Sequence, residues 1–307
     1  MVNAMHWTPW PRTRLPVPAL CLMVTATLAM ACSPQEDSEA TASMEDAAEP
    51  APQTTPDAGA EVPGDKLSGV EVPEGEAATA GRLVDTAGAP IEGLRVLCCS
   101  SETCLIDTTD ADGVYLHIGI VPTHRYKMQV TDAGGTYSDL IYYQPYVVDQ
   151  LSVMEVDVIV PVIESEYTDW PAETGGTVTL AGGELELTAA PGALDYPLGK
   201  PEQLLAERVP AAQLPPYVPA PWAGLEEGAI AYVFTPATVE VESPAALRII
   251  LPEAPAEGTN YALWNADSHT GDMVAAGNAS VDAEGAIVTG DASGIGYFST
   301  LVLVPSQ

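Results

Sequence analysis

Glu184-Leu185-Glu186-Leu187-Thr188 sets a polar residue and a leucine in strict alternation. A period of two places both leucines on one face of an extended chain and the carboxylates on the other. Just upstream, Gly175-Gly176-Thr177-Val178-Thr179-Leu180 forms a second extended run. Gly182-Gly183 between the two runs predicts a two-residue hairpin turn. Further strands are predicted at 229–235, 246–251, 260–265, 279–282, 286–289 and 297–304, while 201–208, with proline at its head, predicts a short helical turn. Composition points the same way, since 26 Gly and 28 Pro punctuate the chain too often for long helices. The expected fold class is all-β, with two tandem β-sandwich domains.

The first of those domains is expected at 78–164 and the second at 174–305. In the first, Thr79–Asp85 and Ile91–Val96 predict strands around a turn at Thr86-Ala87-Gly88-Ala89-Pro90. Thr109-Asp110-Ala111-Asp112-Gly113 leads into the strand Val114–Ile118, and β-branched runs predict strands at 125–132 and 151–162. Asp110, Asp112 and Gly113 match positions 3, 5 and 6 of a calcium loop starting at Thr108, but position 12 is Gly119 rather than a bidentate glutamate. A hairpin turn is therefore expected there, and no metal.

Cys98 and Cys99 are separated from Cys104 by Ser100-Ser101-Glu102-Thr103. A four-residue connection would set Cys99 opposite Cys104, within reach of a cross-strand disulfide. Cys98 shares the parity of Leu94 and Val96 and is expected to point into the core. A Cys98–Cys104 or a vicinal Cys98–Cys99 bridge, and a thiolate metal site, stand as alternatives.

Two resemblances follow from these motifs. Gly81-Arg82-Leu83, Gly88-Ala89-Pro90, Gly93-Leu94-Arg95-Val96 and Thr109–Tyr115 resemble the carboxypeptidase regulatory-like family, which implies a prealbumin-type sandwich serving as an accessory or stalk module. Gly175–Val178, Pro191-Gly192-Ala193-Leu194, Tyr232–Pro236, Ser243-Pro244, Leu247–Pro252, Tyr261–Trp264 and Gly296–Ser299 resemble the ZU-five domain, which implies a β-sandwich used for protein contacts. Some members of that family cleave themselves at His-Phe-Ser. This chain has Tyr297-Phe298-Ser299, so Ser299 lacks the neighbouring base and self-cleavage is not expected.

Ahead of both domains, Arg12 and Arg14 precede an apolar stretch that ends in Leu28-Ala29-Met30-Ala31-Cys32. That is the layout of an export signal, and with cysteine after the cut it resembles the lipobox of bacterial lipoproteins. The resemblance implies a signal at 1–31, acylation of Cys32, a lipid bilayer as partner and, with Ser33 next, delivery to the outer membrane. The apolar stretch is short for a membrane span and holds Pro16 and Pro18. Residues 32–77 are mostly Ala, Pro, Glu, Asp, Ser and Thr, with Lys66 the segment's only basic residue. A segment of this kind cannot bury enough apolar surface to offset its ordering entropy and reads as a disordered acidic tether.

The net charge of −33 excludes nucleic acid as a partner, because phosphate neutralisation needs a basic surface. No Gly-x-Ser-x-Gly, His-Glu-x-x-His, phosphate loop or dinucleotide glycine pattern occurs. The expected function is that of a non-catalytic, cofactor-free envelope lipoprotein that contacts an envelope protein. The competing expectation is a polysaccharide-binding accessory protein, for which Tyr142 and Tyr143, within the group Tyr137, Tyr142, Tyr143, Tyr146, Tyr167 and Trp170, are candidate ligand contacts. Against it stands the reading in which these rings fill a core or the seam between domains.

Overall fold

A computed structural model describes residues 65–196, 202–217, 220–224, 228–290 and 293–306. The signal, Cys32 and the tether up to residue 64 lie outside the described residues. In the first module the strands are β1 (Ala77–Val84), β2 (Arg95–Cys99), β3 (Cys104–Thr108), β4 (Val114–Ile120), β5 (Lys127–Thr131), β6 (Leu140–Tyr142), β7 (Leu151–Val153) and β8 (Val158–Ile159). One sheet runs β4-β1-β7, with β8 also on β1; the other runs β3-β2-β5-β6. The sheets share a core, Val96, Cys98, Met128 and Val130 from one meeting Leu83, Tyr115, Ile120 and Val158 from the other.

The expected turn forms between β3 and β4, but it is not a hairpin, because the two strands belong to different sheets. Asp110 carboxylate accepts the Asp112 and Val114 N–H groups at 3.0 and 2.9 Å. Gly113 follows at φ +78°, where a side chain would also run into the Leu83 carbonyl oxygen. Asp110 thus spends its acceptors on the turn. Residues 151–162 do not form one strand. β7 and β8 lie parallel to successive halves of β1, and between them the chain swings out to bring Asp157 onto the Arg82 guanidinium at 2.9 Å.

The second module contains β9 (Thr168–Asp169), β10 (Gly176–Leu180), β11 (Leu185–Ala189), β12 (Leu194–Asp195), β13 (Gln203–Val209), β14 (Ile230–Thr235) and β15 (Val239–Ile249). After these come β16 (Asn260–Ala266), β17 (Met273–Val281), β18 (Ile287–Thr289), β19 (Ile295–Phe298) and β20 (Thr300–Pro305). All twelve belong to one sheet ordered β10-β11-β15-β18-β17-β16-β20-β14-β13-β9, with β12 and β19 on the flanks of β15. The sheet curls until its two ends meet, the Thr168 hydroxyl donating to the Thr179 carbonyl at 3.2 Å. Leu185 and Leu187 are fully buried and Glu186 is not, as the alternation requires. The turn before them is longer than predicted. Leu180 pairs with Leu185, and a 3-10 turn at Ala181–Gly183, with Gly182 at φ +63°, closes the connection.

The predicted helical turn at 201–208 is instead strand β13, paired with β9 at Gln203 and Leu204 and with β14 from Leu205 to Val209. Leu204 and Ala206 enter a core private to the second module, while Val209 joins the core of the first. A strand buried on both faces loses the period-two pattern, and the leading proline then reads falsely as a helix start.

Candidate functional site

The chemistry of the described chain concentrates where the two modules meet. No strand ladder joins them, yet the first module's core runs on into Val209, Tyr217, Trp222, Val233, Met273 and Val302 of the second. Around this shared core, polar groups clamp the modules together. Tyr217 hydroxyl lies 2.7 Å from both the Ile141 carbonyl, to which it donates, and the Thr300 hydroxyl. Asp139 N–H donates to the Thr235 hydroxyl at 3.1 Å, and Asp139 carboxylate accepts the Ala237 N–H at 3.3 Å. Glu207, buried on β13, accepts the N–H groups of Glu164 and Ser165 where the chain crosses from one module to the other.

At the other side of the seam the β16–β17 turn presses into the first module. Gly271 adopts φ +75°, and a side chain on it would stand 2.4 Å from the Tyr142 carbonyl carbon. Only glycine meets both demands. Asp272 in this turn pairs with Arg125, whose guanidinium lies 4.0 Å over the Tyr143 ring. Lys127 ammonium donates to the Ser268 carbonyl. Burial lowers the Lys127 pKa, while Asp267 and Glu240 nearby oppose that shift.

The tyrosine group is sorted by this arrangement. Tyr142 is fully buried, its hydroxyl 3.1 Å from that of Tyr115, which donates to Gln144 at 2.8 Å. Burial raises both phenol pKa values. Tyr142 therefore offers no face to a ligand, which corrects its candidacy as a contact. Tyr143 is half-buried, and Arg125 of the same chain covers its ring. Tyr146 stacks edge-on with Tyr126 at 6.2 Å and donates to the His124 carbonyl. Trp170 is buried in the second core; Tyr167 is exposed.

Cys99 and Cys104 are joined by a disulfide at the β2–β3 turn, directly opposite each other in register. Cys98 is a free thiol inside the core, where burial pushes its pKa up to about 12. The thiolate is the reactive form, so this thiol is inert. Ser299 is buried; its hydroxyl donates to the Ala266 carbonyl and accepts from the Asn265 amide at 3.4 Å, neither of which is a base. His269, the second module's histidine, instead pairs with Glu240 at 3.1 Å.

Among the described residues, two clefts open on the second module. One, about 520 Å³, lies where the sheet ends meet and is lined by Glu164, Glu184, Glu207 and Arg208, with the Arg208–Glu184 pair at 3.3 Å. The other, about 420 Å³, is a groove between β17 and β19 lined by Val274, Gly277, Gly294, Gly296 and Tyr297.

The sequence did not single out Arg125, Lys127, Asp272, Gly271, Tyr217 or Glu207. One signal was available: with 10 basic residues against 43 acidic ones, each cation has a choice of partners and is worth tracing. Lys66, Arg82, Arg125, Arg208 and Arg248 all meet carboxylates.

No protein-family model matches the chain. No curated protein sequence matches it either. Among solved structures, a streptococcal ancillary pilin is similar at 8% identity and a TM-score of 0.22, covering 76% of this chain and 54% of its own. The chain thus spans about half the length of that pilin. A Bacteroides uniformis protein proposed to bind carbohydrate is similar at 9% identity and a TM-score of 0.21, covering 74% of this chain and 78% of its own. At these scores neither carries an argument about function. The all-β sandwich architecture stands on the strands themselves.

Proposed function

We propose that this chain is a non-catalytic lipoprotein of the cell envelope, cleaved before Cys32, acylated there and held on the outer membrane. In this reading a rigid two-module body is presented to an envelope protein partner, with no cofactor. The observation that supports it most is the seam. A core shared by both modules, ringed by Tyr217, Asp139, Glu207 and the Arg125–Asp272 pair, suits a stiff spacer or docking body better than a hinged pair. Lipid supplies the anchorage: each buried methylene contributes about 0.8 kcal/mol, so two or more chains hold firmly.

The polysaccharide alternative is weaker, because Tyr142 is buried and Tyr143 lies under Arg125, leaving Tyr167 as the exposed ring of the group. The test is mild in-cell crosslinking of the tagged full-length protein followed by mass spectrometry, alongside a Cys32→Ser variant. A reproducible protein partner linked through the second module, and loss of the variant from the membrane fraction, are expected. A protein that stays in the membrane fraction without Cys32, or crosslinks to nothing above background, contradicts the reading.

A further inference from the structure

Composition assigns the stretch ahead of β1 to the tether, but part of it is fastened to the fold. A 3-10 turn at Asp65–Leu67 lies against β4. From it, Lys66 ammonium donates to the carbonyl of Thr108, at the end of β3, at 2.8 Å and to that of Val114, at the start of β4, at 3.2 Å. It also pairs with Asp107 at 2.7 Å, and the same Asp107 oxygen accepts the Leu116 N–H at 2.7 Å. β3 and β4 are the outer strands of the two facing sheets. Lys66 and Asp107 therefore occupy the Thr108 carbonyl and the Leu116 N–H at two adjacent sheet edges, and Lys66 adds a second donor to the Val114 carbonyl, which already accepts the Asp110 N–H at 3.1 Å. Nine residues later the chain is fastened again, Gly75 N–H donating to Asp149 carboxylate at 2.6 Å. Between the two fastenings Ser68, Gly69, Glu71, Pro73 and Glu74 are exposed.

We propose that Asp65–Glu74 is a releasable strap, buttoned by Lys66 into the slot between β3 and β4, that opens while the sandwich behind it stays folded. Its fastenings are a few polar bonds, those of Gly75 exposed and those of Lys66 partly buried, whereas the body behind it is held by a packed core, so the strap is the unit that opens at lower cost. Burial alone would raise the Asp107 pKa, but the Lys66 and Leu116 hydrogen bonds hold it below the usual value, keeping the slot anionic. One consequence rests on the lipoprotein reading: opening the strap pays out roughly 35 Å of extended chain, lengthening the reach of the body from its anchor.

The test is native-state digestion of the whole protein with a glutamyl endopeptidase, scoring cleavage after Glu71 and Glu74, with thermal unfolding measured on the same samples. Lys66→Met is expected to speed that cleavage about tenfold, because proteolysis follows the open population, with the unfolding midpoint almost unmoved. Asp149→Gly, which removes the second fastening and keeps the backbone conformation permitted, is expected to do the same. An unchanged cleavage rate in both variants overturns the strap. So does faster cleavage accompanied by collapse of the unfolding midpoint, which would make Lys66 part of the fold. The assay needs no membrane, so its failure is separate from failure of the anchoring reading.

Discussion

The two modules are built alike from strands but are not equally self-sufficient. The second owns a core, centred on Leu187, Leu204, Tyr232, Phe234 and Phe298, that includes no residue of the first. The core of the first is not closed on itself: it is completed by Val209, Tyr217, Trp222, Val233 and Val302 of its neighbour. Small sheets bury too little surface on their own. The first module offsets this with a borrowed wall and a disulfide at one turn. The first module therefore depends on the second more than the reverse.

The largest expected effect comes from emptying the borrowed core. Tyr142→Ala should cost about 3–5 kcal/mol, the range for removing a large buried ring, whereas Tyr143→Ala should cost much less. Chemical denaturation of the two variants checks this, and equal losses would erase the distinction between core and seam. Gly271→Ala comes next. Its Cβ would meet the Tyr142 backbone at a positive φ, so a loss of about 2–3 kcal/mol is expected. Although the substitution lies in the second module, hydrogen exchange at β5 and β6 of the first should accelerate.

A smaller effect is expected at the rim. Arg125 and Asp272 are both partly exposed, and a double-mutant cycle on them should return a coupling below about 1 kcal/mol. A larger coupling would move the seam's strength from its core to its charges. Acid should act last and most locally. The folded Asp107 pKa is lowered, so its contribution is present above the unfolded carboxylate pKa and is lost as pH falls through the folded value. Leu116 amide exchange, corrected for its intrinsic pH dependence, should therefore rise only in the acid range. Loss of protection nearer neutrality would assign the slot to another group.

What the sequence made legible was local. The alternation at 184–188, the turn ending at Gly113, the inward parity of Leu94, Val96 and Cys98 and the facing of Cys99 and Cys104 each depend on neighbours a few residues apart, and the structure shows all of them. What it hid was long-range. β13 lacks a strand period because both its faces are covered. The tyrosines could not be sorted without knowing that Gly271, over a hundred residues away, closes over Tyr142. Lys66 was hidden by composition: an acidic, proline-rich stretch reads as tether, and its single cation gave no hint of three oxygen partners. Cys32 and the leader lie outside the described residues, so their chemistry rests on the sequence.

The core that spans the seam couples the two modules tightly enough for them to unfold as one, although the second also has a core of its own. Differential scanning calorimetry of the folded body measures this most directly. A single transition is expected, with calorimetric and van 't Hoff enthalpies that agree. Two resolved transitions, with the first module melting while the second stays intact, would contradict it.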